Sequence, residues 1–304
     1  MNELTREQWA EQRRNHLGAS ECAAVLGVDP NYGALSVWEK KVTGYSMEDN
    51  KVLRHGRLME EPIAQFFAED SGRRVEDPGS TLYQYHLKYP WLAATLDRYE
   101  WGSDAFPAPA DGKGALEIKN IDIPGMSPDE WHPHSDELFK WVIQNQIQMA
   151  CARLDWGTIC GKFPYYDVCW FDHVRNDEFL EAIYPILADF WECVVSRTPP
   201  PVDTLPGTLA VCKRIWKKEE GTTIPLGYDD MVLINEWEKA KQQARKHDKE
   251  AKKLETKIRY MMKDNTFGTL PDGTVLSSKI TKRKGHVVEP SEFKVLRRTR
   301  PKGI

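Results

Sequence analysis

Three consecutive prolines, Pro199-Pro200-Pro201, constrain the fold of this chain more than any other feature. A proline inside a helix removes a hydrogen bond and clashes with the preceding turn, so three in a row keep the backbone extended. Helical and strand-like patterns alternate before them, whereas one long charged helix dominates after them. We therefore predict a domain over residues 1–198, a Pro-rich linker over 199–208 and a basic extension over 209–304.

The charge of the chain is divided unevenly along its length. Residues 239–304 contain 19 Lys and Arg against 7 Asp and Glu, whereas the rest of the chain contains 23 against 39. The basic end could face phosphate, an acidic protein surface or the acidic body of its own oligomer, because each supplies the opposite charge. The acidic body can contact nucleic acid only locally or with the help of metal ions, since its net charge repels phosphate.

Several protein classes lack their signature in this sequence. There is no G-x-x-x-x-G-K-[ST], no strand followed by G-x-G-x-x-G, no H-E-x-x-H and no G-x-S-x-G. The longest apolar stretch, residues 182–195, is interrupted by a proline and two acidic residues, and the N-terminus does not resemble a signal peptide. We therefore expect a cytoplasmic protein that does not span a membrane.

The part before the prolines alternates strands and helices, as an α/β domain does. The predicted strands are Thr81–His86, Leu92–Tyr99, Ala115–Lys119, Gly157–Phe163 and Asp167–Phe171. The predicted helices are Ser20–Gly27 with Ser20 as its N-cap, Glu60–Asp70, Asp136–Arg153 and Asp177–Val195.

Beyond the prolines, a stripe of apolar and small residues from Leu233 to Met261 recurs at alternating spacings of four and three residues. This heptad pattern predicts a long helix that needs a partner. The partner could be another chain, the body of the same chain or DNA, and the alanines of the stripe favour close packing. After the helix, Pro271-Asp272-Gly273 predicts a turn between two short strands.

A set of carboxylates carries the remaining chemistry. Asp97 ends an apolar strand, and Glu117 and Lys119 lie in another strand twenty residues later. Side chains alternate along a strand, so Glu117 and Lys119 share a face, and pairing of the two strands would add Asp97 to it. Close carboxylates repel unless they are neutralised, and hard oxygen ligands favour Mg²⁺ or Mn²⁺. Such a site suits phosphodiester hydrolysis, with the lysine orienting or activating a water.

The Glu-x-Lys pattern by itself is a weak signal. The chain contains it at four other places, one of which is Glu250 and Lys252. Only at Glu117 does the pattern lie in an apolar strand, after a strand that ends in aspartate and before an amphipathic helix. The competing interpretation is an exposed ion pair on a strand edge.

Five sequence blocks follow one another within residues 9–195. They are Arg13-Arg14-Asn15-His16-Leu17-Gly18-Ala19-Ser20, Gly56-Arg57-Leu58-Met59-Glu60-Glu61-Pro62, Asp97, Glu117-Ile118-Lys119 and Gln144-Asn145-Gln146-Ile147-Gln148. In this order they resemble the YqaJ-type viral recombinase nucleases, which group with phage lambda exonuclease in the PD-(D/E)XK superfamily. The resemblance implies a restriction-endonuclease-like α/β core, with a central mixed sheet flanked by helices. To this core the chain would add its long C-terminal helix and a small β extension.

The resemblance implies a role for each residue of the carboxylate set. Asp97 and Glu117 would be metal ligands, the Ile118 carbonyl would complete the first metal site, and Lys119 would act on the nucleophilic water. Relatives commonly have a Ser-Pro-Asp-Gly-type run where this chain has Arg98 after the aspartate. The Arg98 charge would weaken metal binding, or the side chain would point to the other face, which strand alternation favours.

The resemblance implies two further functional positions, and at each of them two residues of this chain are candidates. Glu60, or else its neighbour Glu61, would hold a second metal ion or position a water. Gln146, or else Gln148, would hold the lysine, the water or the DNA backbone.

Arg13 and Ser20 match the pair that grips a terminal 5′-phosphate in this family. Ser20 as the N-cap of a helix also has a physical basis for this role, because free N–H groups and the helix dipole attract an anion.

The function implied is a Mg²⁺-dependent exonuclease with two ions per active site, for which Mn²⁺ would substitute. It would degrade one strand of linear double-stranded DNA in the 5′→3′ direction, leaving 3′ overhangs for phage-type recombination with a single-strand annealing protein. Relatives often form trimeric rings, so a homo-oligomer in a bacterial cytoplasm is implied. Two alternatives stay open: an endonuclease of the restriction or repair type with the same fold, and a non-catalytic DNA-binding assembly module.

Overall fold

The structure is a computed structural model that describes residues 11–45, 51–79, 83–102, 112–121, 126–132, 135–164, 168–218, 220–281 and 298. The chain divides into two compact units, Met1–Lys217 and Lys218–Ile304. Parts of two predicted strands, at residues 81–82 and 167, lie outside the described residues, as does most of the predicted basic end after residue 281.

The first unit combines strands and helices. Its strands are β1 (Leu17–Gly18), β2 (Arg74–Glu76), β3 (Gln84–Tyr85), β4 (Leu92–Ala94), β5 (Arg98–Trp101), β6 (Lys113–Asn120), β7 (Trp156–Lys162) and β8 (Val168–Val174). Its helices are α1 (Ala19–Val25), α2 (Ala34–Thr43), α3 (Lys51–Ser71), α4 (Phe139–Ala152), α5 (Asp177–Val195) and α6 (Pro206–Ile215), with short 3₁₀ turns at Pro128–Glu130 and Asp136–Leu138.

These strands form two sheets. The larger has the order β2-β5-β6-β7-β8, in which β6 and β7 are parallel and the other neighbours are antiparallel. The parallel pair needs a crossover connection, and α4 provides it. The smaller sheet has the order β1-β4-β3. The predicted α/β class with a central mixed sheet flanked by helices is confirmed.

Strand β6 shows how the large sheet is covered on both faces. Leu116 and Ile118 pack into a core cluster with residues of α3, whereas Ala115 packs with Met149 of α4. Because side chains alternate along a strand, Glu117 points to the α4 side together with Ala115. The sheet therefore presents its acidic residue to a helix rather than to open solvent.

The predicted strand Leu92–Tyr99 is broken in the structure, which corrects that prediction. β4 ends at Ala94 and pairs with β1 and β3, whereas β5 begins at Arg98 and pairs with β2 and β6. One straight strand cannot hydrogen-bond within two separate sheets, so the chain bends between them. The bend leaves Asp97 at the junction of the two sheets.

Helix α1 does not begin as predicted. Its N-cap is Gly18, and Ser20 is an exposed residue of the first turn. The backbone N–H of Gly18 donates to Glu21 Oε2 at 2.9 Å, which is the reciprocal contact of a capping box. Glu21, three residues after the cap, is thus the side chain that stabilises this helix start.

Helix α6 explains why the unit boundary lies at Lys217 and not in the predicted linker. Val211 of α6 is 1% exposed and belongs to the main core cluster. Arg214 forms an ion pair with the buried Glu39 of α2, with an N···O distance of 2.6 Å. Removing α6 would expose apolar surface and leave a buried carboxylate unpaired, so this helix belongs to the first unit.

The second unit contains the expected long helix and small β extension. They are α7 (Tyr228–Met262) and the antiparallel strands β9 (Phe267–Thr269) and β10 (Val275–Ser277). The predicted turn lies between the strands, where Gly273 has a φ of +85° that favours glycine. Within the part of the chain that the structure describes, no helix has the length and apolarity needed to cross a bilayer.

Candidate active site

The carboxylates of Asp97 and Glu117 meet at the junction of the two sheets. The register pairs Arg98 of β5 with Leu116 of β6, which brings Asp97 beside Glu117. Asp97 Oδ2 accepts a hydrogen bond from the Ile118 backbone N–H at 2.9 Å. Burial and the negative charge of Glu117 raise the pKa of Asp97 to about 8. The Glu117 carboxylate is therefore close enough to affect the ionisation of Asp97.

Amide and ammonium groups surround the buried Glu117 carboxylate. Oε1 accepts hydrogen bonds from the Lys119 ammonium and, at 2.7 Å, from the Gln144 amide. Oε2 accepts a hydrogen bond from the Gln148 amide at 2.5 Å. Gln144 and Gln148 are four residues apart on α4, so their side chains project from the same face. These bonds fix the orientation of the carboxylate.

Lys119 lies among the carboxylates. Burial alone would lower the pKa of Lys119, but the negative charges of Glu117 and Asp97 outweigh it and raise the pKa above its usual value. The ring of Trp141 lies 5.9 Å from Lys119 Nζ. The ammonium therefore stays protonated and supplies the positive charge next to the two carboxylates.

Glu60 faces this cluster, whereas Glu61 does not. Burial and the negative charge of Glu117 raise the pKa of Glu60. Glu61 is exposed and accepts a hydrogen bond from the Arg98 guanidinium at 2.6 Å. Successive helix residues project about 100° apart, so only one of the two glutamates can face the carboxylates. The same bond directs the Arg98 charge to Glu61.

The structure places the Gln146 side chain away from Glu117. Its amide nitrogen donates to the Val174 carbonyl at 2.8 Å, and its amide oxygen accepts from the Asn176 backbone N–H at 2.7 Å. A step of two residues along a helix is a rotation of about 200°, so Gln146 points away from the face that carries Gln144 and Gln148. Gln148, the alternative residue, contacts Glu117, and so does Gln144.

Sequence reasoning missed two side chains that hold Gln148 in place. Asn145 Nδ2 donates to Gln148 Oε1 at 2.9 Å, and His173 Nε2 donates to Asn145 Oδ1 at 2.7 Å. Burial lowers the pKa of His173 to about 4, so the ring stays neutral in this contact. The run of amides in residues 144–148 was a sequence signal for Asn145, but nothing in the sequence links His173 to it.

A cleft opens next to the carboxylates. Its lining residues are Arg13, His16, Gly18, Ala19, Ser20, Tyr83, Ala93, Thr95 and Gln144. Because Gln144 also donates to Glu117, the cleft and the carboxylate cluster share one side chain. Arg13 and Ser20, the pair expected to grip a phosphate, are thus brought to the carboxylates although they are far from them in sequence.

An ion pair with the buried Glu21 holds Arg13 at the cleft. Glu21 Oε1 lies 3.7 Å from the Arg13 guanidinium, and Glu21 Oε2 lies 2.5 Å from Lys41 Nζ. Lys41 also donates to the Arg13 carbonyl at 2.6 Å. Two cations and one anion leave a net positive charge, which suits an anionic ligand.

Part of this sequence is similar to a domain of known recombination proteins. Residues 8–155 match the YqaJ-like viral recombinase domain. The match confirms the resemblance seen in the five sequence blocks, and it supports a nuclease of the phage-recombination type.

The individual proteins that are similar to this chain share less than a quarter of their aligned residues with it. The uncharacterized protein YqaJ of Bacillus subtilis (strain 168) is 24% identical over 282 residues, which cover 88% of this chain and 81% of that protein. The alkaline exonuclease LHK-Exo from Laribacter hongkongensis superposes with a TM-score of 0.46 and 17% identity, covering 63% of this chain and 94% of its own. A phage-related exonuclease from Haemophilus somnus 129PT superposes with a TM-score of 0.44 and 13% identity. The superposition covers 60% of this chain and 96% of that exonuclease.

The donor set of this site fits a hard divalent cation. Asp97 and Glu117 offer carboxylate oxygens, and the raised pKa of Asp97 indicates a deficit of positive charge around the pair. Among the described residues, no group of three or more His, Cys, Asp or Glu side chains forms a ready metal cage. Mg²⁺ commonly takes one or two carboxylates and keeps several waters, so it does not need such a cage.

Proposed function

We propose that this protein is a divalent-cation-dependent exonuclease that degrades the 5′-ended strand of linear double-stranded DNA. The observation that carries the proposal is the convergence of Asp97, Glu117 and Lys119 next to a cleft with a net positive charge. The product would be a duplex with 3′ overhangs, which serves as the substrate of phage-type recombination.

Asp97, Glu117 and the Ile118 carbonyl would hold a Mg²⁺ ion, and Glu60 would contribute to a second one. When bound, the ions would lower the pKa of a water and stabilise the negative charge that develops on the phosphate. Mn²⁺ also prefers oxygen ligands and is expected to substitute. Gln144 and Gln148 keep the Glu117 carboxylate in one orientation, which a metal ligand requires.

Lys119 would act on the attacking water. Its ammonium can donate a hydrogen bond that orients the water toward the phosphate. Neutralisation of Glu117 and Asp97 would remove the charges that raise the pKa of Lys119. The lysine could then lose its proton more readily and be present as the neutral amine that a general base requires.

Arg13 and Ser20 would hold the 5′-terminal phosphate of the strand being degraded. The Arg13 guanidinium provides charge-assisted donors, and the Ser20 hydroxyl provides a neutral one. Because the cleft shares Gln144 with the carboxylate cluster, a bound end would lie beside the catalytic groups. End binding of this kind supports attack from the 5′ terminus.

A closed homo-oligomer would reconcile the acidic body with DNA use, because only its channel must be positive. By resemblance we propose a trimer that acts on DNA ends in a bacterial cytoplasm. Its 3′ overhangs would pass to a single-strand annealing protein of the same recombination system.

The decisive assay compares three DNA substrates in Mg²⁺ and in chelator. They are a linear duplex with 5′-phosphate, the same duplex with 5′-hydroxyl, and a covalently closed circle. We expect Mg²⁺-dependent release of nucleotides from the phosphorylated linear duplex and an intact circle. Cutting of the circle would instead favour an endonuclease, and DNA binding without digestion would favour a non-catalytic assembly module.

We predict that Glu117→Gln or Lys119→Ala lowers digestion at least about 100-fold, because loss of a catalytic carboxylate or acid–base group typically costs that much. The control is Glu250→Gln on α7, another Glu-x-Lys position, which should digest DNA at the rate of the unaltered protein. Circular dichroism verifies that each variant is folded. Undiminished turnover by either site variant would refute the proposed site.

A further inference from the structure

Two polar side-chain atoms of residues that line the cleft lack a hydrogen-bond partner among the described residues. They are His16 Nδ1 and the Tyr83 hydroxyl, both buried, and neither is paired within the described ranges of the chain. The His16 residue as a whole is 2% exposed. A buried polar group left unpaired destabilises the fold, so such groups usually have a partner that a protein chain alone does not supply.

The small sheet places these two rings together. His16 precedes β1 and Tyr83 precedes β3, and both strands pair with β4 between them. The ring centroids lie 4.3 Å apart in an edge-to-face arrangement. Both residues line the same cleft as Arg13 and Ser20.

Both rings are uncharged near neutral pH. Burial and the positive charge of Lys41 lower the pKa of His16 to about 4, and burial raises the pKa of Tyr83 to about 12. The positive charge of this region comes from Arg13 and Lys41, with Glu21 between them. The two rings can therefore add hydrogen bonds to an anion without adding charge.

A terminal phosphate monoester matches this set of donors. It is an anion with three terminal oxygens, whereas a 5′-hydroxyl end brings neither the charge nor those acceptors. The cleft also adjoins the carboxylates, where the 5′ end of a strand being degraded would lie.

We propose that Tyr83 and His16 are specificity-determining residues that, together with Arg13, bind the 5′-terminal phosphate of the DNA strand. The Tyr83 hydroxyl donates to one phosphate oxygen, and His16 Nδ1–H donates to another. This inference rests on the proposed exonuclease function. Without the phosphate both donors remain unpaired, so the site rejects a 5′-hydroxyl end, as sites built on buried polar groups do.

The test measures initial digestion rates on two linear duplexes that differ only in a 5′-phosphate or 5′-hydroxyl end. We expect Tyr83→Phe to lower the phosphate-to-hydroxyl rate ratio about tenfold, because one hydrogen bond to a charged group is lost. His16→Phe should lower the ratio to a similar degree. Arg13→Ala serves as the reference for complete loss of the preference.

Tyr85→Phe is the matched control. Tyr85 lies two residues from Tyr83, its ring centroid is 6.2 Å from that of Tyr83, and its side chain is 49% exposed. It does not line the cleft. We therefore expect this variant to keep both rates. In addition, Tyr83→Phe should not lower the melting temperature of the DNA-free protein, since it deletes a hydroxyl that has no partner there.

A binding assay in chelator separates this inference from the exonuclease proposal. Fluorescence anisotropy with the same two duplexes should show tighter binding of the phosphorylated end, and Tyr83→Phe should remove the difference. A protein that prefers phosphorylated ends through Tyr83 but digests no DNA would refute the exonuclease and support the inference. An active exonuclease whose end preference is absent, or is unchanged by Tyr83→Phe, would overturn the inference alone. Equal losses on both ends in Tyr83→Phe would also overturn it.

Discussion

At the scale of single residues, the site depends on how Glu117 is oriented. The carboxylate is buried, and amides of α4 donate to both of its oxygens. A buried carboxylate with fixed donors has one orientation available, which allows it to act as a ligand without reorganisation. The residues around it therefore matter for the chemistry even where they do not touch a substrate.

Gln148 and Gln146 form a matched pair that tests this view. Both are buried glutamines on α4, but only Gln148 donates to Glu117. We predict that Gln148→Ala lowers turnover about 10–100-fold, as loss of a ligand-orienting group does. Gln146→Ala should keep its turnover per folded molecule but lower the free energy of unfolding by about 1–3 kcal/mol, because buried partners lose their bond.

The measurement combines digestion rates with urea unfolding of both variants. Loss of turnover in Gln146→Ala together with unchanged turnover in Gln148→Ala would contradict the orienting role of Gln148.

Glu100, which lies outside the carboxylate site, is expected to make the stability of the fold depend on pH. Its side chain is 0% exposed and pairs with Arg73 at 3.0 Å. Burial raises the pKa of Glu100 from 4.5 to about 7. The folded protein thus binds a proton that the unfolded chain releases between these pH values, so stability falls as the pH rises from 4.5 to 7.

We predict that this carboxyl contributes a fall of up to about 3 kcal/mol over that range. Glu100→Gln should remove this contribution, because glutamine does not titrate. Urea unfolding of both proteins at pH 5 and pH 8 measures the difference between their slopes. Parallel stability profiles would contradict the raised pKa of Glu100.

At the scale of elements, close packing of β7 against α4 positions the amides. Gly157 of β7 has no side chain, and Asn145 of α4 occupies the space beside it. A Cβ at Gly157 would lie 2.4 Å from Asn145 Oδ1 and 2.7 Å from the Ala115 carbonyl. Since Asn145 holds Gln148, this glycine permits the contact chain that reaches Glu117.

We predict that Gly157→Ala lowers the free energy of unfolding by about 1–3 kcal/mol and also lowers turnover, because the methyl group displaces Asn145. Gly56→Ala in α3 is the control, since a Cβ there meets nothing within 4 Å. That variant should gain about 0.5–1 kcal/mol through better helix propensity. Thermal unfolding measures both changes. If both substitutions lowered the free energy of unfolding, or both raised it, this account would be contradicted.

At the scale of the whole molecule, the two units differ in how much of their own core they bury. The first unit contains four core clusters. In α7, no residue among those described is buried. A charged helix with an apolar stripe and no buried residue gains little from packing within its own chain. The division at Lys217 therefore separates a self-contained body from an extension.

Truncation tests where the body ends. We predict that a chain ending at Lys217 folds cooperatively, whereas a chain ending at Thr198 unfolds at a lower temperature or aggregates. The shorter chain loses α6, whose Val211 is buried and whose Arg214 pairs with the buried Glu39. Equal melting temperatures for the two chains, measured by calorimetry, would place the boundary where the prolines predicted it.

The sequence by itself determined the class of the fold and the acidic pair at its centre. Alternation along β6 places Glu117 and Lys119 on one face whatever the rest of the chain does, because the period of a strand is local. The four-residue spacing of Gln144 and Gln148 likewise defined one helix face, although the sequence did not say which face met the sheet.

Only the tertiary structure decided which side chains from distant segments of the chain contact one another. The bend at Asp97, the choice of Glu60 over its neighbour, and the contact of His173 with Asn145 all depend on strand register and helix rotation. So does the meeting of His16 with Tyr83, which the small sheet brings about. Register and rotation are set by packing between residues far apart in the chain, and no local pattern records that packing.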